Sequence, residues 1–316
     1  MADEHPKFIP LIEAVRAKDY DTAEKLLRDD KLDPNLEVPS VYDALENHYP
    51  LKISIEQDDP KMLELLIKYG LRYDTKSASY AHRKWWEGQF RAMEYAVDCN
   101  SINVIKFLMS IGSAAAFYRA AEKGKLEIFK ILFAHYGRPR DIDFYVRLSI
   151  EYDFEDMFDY FMENHDVVNK ISPDMLSTAA EFNKCDKLVK LLRHPKFEND
   201  EHMGQAYMEV SRVGHIEPVK IMLDYKIDPS YIDNASIERA AKYGHLEILK
   251  LLKPWGVNRR TLWWAYKNNH FDIFCHLYEK SISQNNVNQI RWEYPKFLDE
   301  ILKRYNLQDK EKSDSF

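Results

Sequence analysis

Apolar residues along this chain recur three apart with a charged residue between them, always in the same local frame. Two segments display it openly: AAEKGKLEIFKIL at residues 120–132 and AAKYGHLEILKLL at 240–252. Taking the first alanine as an anchor and sliding the frame gives anchors at Ala14, Ser54, Ala96, Ala120, Ser149, Ala180, Val210, Ala240 and Ala265, 24 to 42 residues apart. Nine positions on, every residue is apolar: Ala23, Leu63, Ile105, Phe129, Phe158, Val189, Val219, Leu249 and Phe274. Twelve positions on, all are apolar again, from Leu26 and Leu66 through to Leu252 and Leu277. Ten positions on, eight of the nine are charged. Such spacing describes one face of an amphipathic helix.

The anchors themselves are small except at Val210. A small residue lets neighbouring helices approach closely, so the anchor is expected on a short first helix that faces its counterparts. Four residues past the anchor, seven of nine positions hold Gly, Asn or Asp, the types that tolerate a left-handed backbone. The predicted unit is therefore a short helix, a tight turn, a longer amphipathic helix and a connector. Gly70, Gly112, Gly137 and Gly256 fall just past the second helix, where a terminal glycine is favoured.

Composition narrows the reading. Only 9 of 316 residues are glycine, against about 7% in ordinary proteins, which disfavours turn-rich sheet folds and glycine-rich phosphate loops. A 45% hydrophobic content suffices for a packed core, and the formal charge of −7 gives no support to nucleic-acid binding. No apolar run reaches the roughly 18 residues of a membrane span, and the opening MADEHPKF lacks the character of a secretion signal. Cys99, Cys185 and Cys275 are too few for a disulfide framework. A reducing compartment is expected, the cytoplasm, including that of a host cell.

The motif at residues 49–55, YPLKISI, lies in register with the Thr-Pro-Leu-His-x-Ala-Ala opening of an ankyrin repeat, and KMLELLIKYG at 61–70 continues it as the second ankyrin helix would. Gly214-His215-Ile216-Glu217 and Gly244-His245-Leu246-Glu247 match the Gly-His-x-Glu inter-helix turn, and Asp33-Pro34-Asn35 resembles the ankyrin connector. Over residues 8–280 the chain thus resembles the ankyrin-repeat family. Tetratricopeptide arrays hold to about 34 residues per unit, which these gaps do not. Several connectors are too short for the usual β-hairpin finger, as in ankyrin arrays of large DNA viruses and amoebal hosts. The resemblance implies an all-α, ankyrin-like α-solenoid of about nine helix-turn-helix repeats over 1–280, with a C-terminal helical cap over 281–307 and a disordered tail over 308–316. It also implies a monomeric, non-enzymatic scaffold that binds one or more proteins through its side surface, with no nucleic acid, membrane or cofactor.

Two aromatic-basic clusters stand out as partner-binding candidates. One is Arg83-Lys84-Trp85-Trp86, inside an irregular insertion at about 71–92; the other is Trp263-Trp264, where helical spacing sends one ring to the core and its neighbour about 100° away. Trp and Arg are enriched at binding hot spots, although both pairs could instead cap the neighbouring helices. Residues 290–302, IRWEYPKFLDEIL, read as a cap. Through Pro295-x-x-Leu298-x-Glu300-Ile301-Leu302 they also resemble the F-box-like end of poxviral ankyrin proteins, which would make the chain a substrate receptor for a ubiquitin ligase.

Catalytic, cofactor and metal residues are not expected. The cysteines fall in three different units without a second ligand at metal spacing. His215, His245 and His270 recur at the inter-helix turn, where backbone hydrogen bonding is the expected role. The acidic run at 151–159 alternates with Phe and Met as a solvated amphipathic face would. A cryptic enzyme centred on the insertion, with His82 as its titrating group, is the remaining alternative.

Overall fold

The computed structural model describes residues 5–35, 49–73, 92–112, 116–197, 200–227, 235–252, 259–279 and 287–307, and among them every regular element is helical. The insertion residues Arg83, Lys84, Trp85 and Trp86 and the tail at 308–316 lie outside the described residues. The chain forms two compact units, residues 1–145 and 146–316.

The first unit holds α1 (His5–Ala17), α2 (Tyr20–Arg28), α3 (Tyr49–Glu56), α4 (Pro60–Lys68), α5 (Ala92–Cys99), α6 (Ile102–Ser110), α7 (Phe117–Glu122) and α8 (Leu126–Tyr136). Each odd helix packs on the even helix that follows it, and α1, α3, α5 and α7 also pack side by side. Behind them α2, α4 and α6 form a second row. Sequence accounts for the helix starts. Asp19 and Asp59 cap α2 and α4 by accepting from the Thr22 and Met62 backbone N–H groups, and Pro60 occupies the first turn of α4, where no N–H is needed.

The division falls within α9 (Ile142–Glu151). The second unit continues with α10 (Glu155–Glu163), α11 (His165–Val168), α12 (Met175–Glu181), α13 (Cys185–Arg193), α14 (Asp200–Val213), α15 (Ile216–Asp224), α16 (Ala235–Tyr243), α17 (Leu246–Leu252), α18 (Arg259–Lys267), α19 (Phe271–Tyr278), α20 (Val287–Glu293) and α21 (Leu298–Arg304). Here α12, α14, α16 and α18 pack side by side, with α13, α15 and α17 as the second row.

Backbone conformation marks the turns. Lys18, Asp58, Asn100, Gly124, Asp153, Asn183, Gly214, Gly244 and Asn269 all have positive φ, and each ends a first helix. Eight of them sit four residues past an expected anchor. The ninth corrects the register. Asn183, not Lys184, takes the left-handed turn, and the Lys184 N–H bonds the Ala179 carbonyl as the Asp19 N–H bonds that of Ala14. The anchor is therefore Ala179 rather than Ala180. The physical reason is that asparagine tolerates this region better than lysine, so the turn settles one residue earlier. The shift moves the buried position from Val189, which is half-buried, to Leu188, which is fully buried. With that correction all nine anchors and all nine residues nine places beyond them are buried. Leu26 and Leu277, twelve places on, are only half-buried.

The C-terminal described residues form two helices, α20 and α21. Pro295 lacks an N–H and restricts Tyr294, so α20 stops and a 3-10 turn, Pro195–Phe197 having its counterpart here in Pro295–Phe297, leads into α21. Phe297 enters a ring cluster, with centroids 5.2 Å from Tyr266, 5.3 Å from Phe271 and 5.2 Å from Phe274.

Candidate functional site

In each unit the packed first helices bury their anchors and leave an outer stripe. On it lie the residues two past an anchor and those just before one, and they meet their counterparts on the neighbouring first helix. In the first unit the Tyr95 hydroxyl donates to Glu56 at 2.5 Å, and Arg119 donates two bonds to Asp98, both 2.5 Å, and a third to Glu122 at 2.8 Å. Desolvation and the Glu56 carboxylate raise the Tyr95 phenol above its ordinary value, and the bonds to Asp98 hold the Arg119 guanidinium above its own. In the second unit the stripe runs Glu181–Arg212–Glu209–Arg239, with N–O distances of 2.6, 2.7 and 3.0 Å. These contacts align neighbouring helices and neutralise one another.

Charge balance fails at α18. Lys242, two past the Ala240 anchor, lies over the Trp264 ring at 4.7 Å, taking the place of an ion pair. Lys267 lies one turn beyond both tryptophans and covers them, 4.5 Å from the Trp263 centroid and 5.5 Å from that of Trp264. The two indoles meet edge to face at 4.8 Å. Arg259 and Arg260, on the preceding turn, border with Trp263 an open concavity of about 400 Å³. Their carboxylate partners, Glu293 at 3.4 Å and Glu238 at 3.1 Å, leave the two guanidinium side chains 83% and 72% exposed.

The expected division of the tryptophans, one to the core and one outward, is not what forms. Thr261, Leu262 and Ala265 are the buried residues of α18. Trp263 is 44% exposed and Trp264 is half-buried under Lys242 and Lys267. The small anchor leaves no room between first helices for an indole, so both rings lie along the outer stripe. Arg259, Arg260, Lys242 and Lys267 complete the cluster and were not anticipated, although Arg260 and Lys267 stand at helical spacing from the tryptophans and that signal was open to reading.

Other groups singled out by the sequence do structural work. His245 and His270 place Nε2 3.1 Å from the Arg212 and Lys242 carbonyls. A carbonyl can only accept, so Nε2 carries the proton and donates. The acidic run is not merely solvated. Asp153, Glu155 and Asp159 pair with lysines of α13, Lys187 reaching Asp153 at 2.5 Å and Glu155 at 2.9 Å, and Lys190 reaching Glu155 and Asp159. Lys187 is only 2% exposed at its side chain. Burial alone would pull its ammonium down, but the bonds to Asp153 and Glu155 outweigh that and raise it. Cys99, Cys185 and Cys275 are unpaired, and burial raises all three thiols, away from the reactive thiolate. Among the described residues no three His, Cys, Asp or Glu side chains converge as a metal site requires, and no helix is long and apolar enough to cross a membrane.

No protein-family model matches this chain, and no curated protein does so either.

Proposed function

We propose that this chain is an ankyrin-like α-solenoid of about nine helix-turn-helix units serving as a non-enzymatic protein-binding scaffold in the cytoplasm, its partner engaged through the outer stripe of first helices. The carrying observation is the unbalanced cation-aromatic cluster of α16 and α18. At Glu56–Tyr95, Asp98–Arg119–Glu122 and Glu181–Arg212–Glu209–Arg239 the charged and polar groups of the stripe are engaged with one another. Around Trp263 they are exposed and of the residue types that dominate binding energy. Raised thiols, His245 and His270 committed to backbone carbonyls, and carboxylates committed to lysines weigh against chemistry at those groups.

The ubiquitin-ligase reading is the weaker one. Phe297, Leu298 and Ile301, the apolar residues that would face a ligase component, are buried against the preceding helices and one another. That burial supports a plain cap.

The test is quantitative binding of a partner captured from cell lysate, comparing the native chain with Trp263→Ala. The substitution should weaken binding by roughly 2 kcal/mol, the scale of a hot spot, without lowering the melting temperature. Retained affinity would place the contact elsewhere, and the double variant Trp85→Ala/Trp86→Ala then tests the insertion.

A further inference from the structure

We infer that the α16–α18 cluster is a docking site for an acidic peptide segment carrying an apolar side chain among its carboxylates. The inference rests on the scaffold reading and names the chemistry of the partner.

Four cations, Lys242, Arg259, Arg260 and Lys267, surround two indoles. Two carboxylates reach this group, Glu238 and Glu293. Among the described residues the Lys242 and Lys267 ammoniums pair with no carboxylate and lie over the rings instead. The local balance is therefore positive on a chain whose total is −7. A positive patch on an acidic protein selects an anionic partner by steering.

The two existing ion pairs do not oppose docking. Each pair is exposed on its guanidinium side, 83% and 72%, while Glu293 and Glu238 are 30% and 14% exposed, so Arg259–Glu293, the longer pair at 3.4 Å, is the one a ligand reaches more readily. A ligand carboxylate can replace Glu293 at Arg259, whose guanidinium fork donates to it in the bidentate geometry that an ammonium lacks. The concavity of about 400 Å³ between Arg259, Arg260 and Trp263 is at the small end of ligand sites and suits one large side chain. Trp263 offers it an apolar floor.

A nucleic acid would also answer the charge. The cluster disfavours it: the cations form one compact group within two helices, where a phosphate backbone calls for a stripe spanning many contacts. The Trp264 face is covered by Lys242 and Lys267 and closed to base stacking.

The test is fluorescence anisotropy with the full chain and three labelled probes. The first is an Asp/Glu-rich dodecapeptide with a central Phe, the second the same peptide with Asn/Gln for its acids, and the third a single-stranded oligonucleotide of equal charge. The acidic peptide should bind at least tenfold more tightly than the amide peptide, with affinity falling as salt rises. Arg259→Gln with Arg260→Gln, and Trp263→Ala separately, should each cost at least tenfold. Lys220→Gln, on the second-helix row, should change nothing. Circular dichroism and melting on each variant separate lost binding from lost fold. Equal binding of both peptides, or oligonucleotide binding as tight as that of the acidic peptide, overturns the acidic-peptide inference. If the captured partner still binds tightly while the acidic peptide does not bind at all, the inference falls and the scaffold reading stands. If neither binds, both fall.

Discussion

Successive turns are tied together differently in the two units. In the first, the turn residue itself reaches forward. Asp58, at φ 49°, accepts from the backbone N–H of Asn103 at 3.2 Å and of Val104 at 2.8 Å, capping α6 from the unit before it. Gln57 and Ser101 then reach back, to the Arg16 and Ile55 carbonyls. In the second unit Gly214 and Gly244 leave the turn bare, and the imidazoles of His245 and His270 fill the space. A Cβ on Gly214 would lie 2.4 Å from the His245 ring, and one on Gly244 would lie 2.8 Å from that of His270. Glycine is thus required twice over there, by φ values of 98° and 89° and by the ring packed against it. A left-handed turn can carry a capping carboxylate or receive a neighbour's ring, and the choice fixes which partner residue the next helix pair must supply.

The largest break in that comparison is Gly214→Ala. Positive φ and the imidazole clash together should cost about 3 kcal/mol, combining left-handed strain with the loss of the His245 bond. Urea unfolding of Gly214→Ala, His245→Ala and the double variant measures it. The double variant should be more stable than the sum of the singles allows, because removing the ring relieves the clash.

Asp58→Ala should cost about 2 kcal/mol, half from lost capping and half from alanine at positive φ. Asp58→Gly keeps the turn and loses only the cap, so about 1 kcal/mol is expected by the same measurement. Equal losses would mean that the carboxylate alone matters.

Asp153 offers a third arrangement, a turn aspartate whose carboxylate meets Lys187 rather than backbone. Bonds to Lys187 hold Asp153 below its ordinary 3.8, and bonds to Lys190 and then Lys187 hold Glu155 below its ordinary 4.5. A carboxylate depressed in the folded state contributes stability that is complete above the unfolded value and lost as pH falls through the folded one. The melting temperature should therefore decline as pH is lowered from about 4.5, more gently in high salt because these carboxylates are 59% and 48% exposed. Lys187→Met should flatten the decline. An unchanged acid slope would show that the Lys187 pairs do not stabilise the fold.

The smallest effect has the opposite sign. Among the nine described turns that end a first helix, Lys18 alone is neither Gly, Asn nor Asp, at φ 55°. Its ammonium bond to the Gln57 carbonyl is long, 3.3 Å, and exposed. Lys18→Gly should stabilise by about 0.5 kcal/mol, read as a raised melting temperature.

Much of this was legible in the chain because local rules govern it. Anchors, turn residues and the buried position nine beyond them are short-range features, and alternation of apolar and charged residues reports them directly. The slip at Ala179 shows the limit. Two candidate turn residues stood side by side, Asn183 and Lys184, and spacing alone did not choose between them. What the chain did not display was partnership across units. That Lys187 is buried, that Asp58 caps α6, and that Trp264 lies under Lys242 all depend on residues about 20 to 46 positions away. The candidate surface was half legible for the same reason: its tryptophans drew notice, while its cations gain meaning only when α16 and α18 are side by side.

The glycine and histidine pairing has a consequence for how such a chain can grow or shrink. Duplication or deletion of a helix pair joins turns that were not neighbours before. A serine or aspartate in place of His245 or His270 would leave the space over the glycine unfilled, and a side chain in place of Gly214 or Gly244 would collide with the ring. At Gly214 and Gly244 the glycine and the histidine of the following helix pair are therefore inherited as one element split between two neighbours.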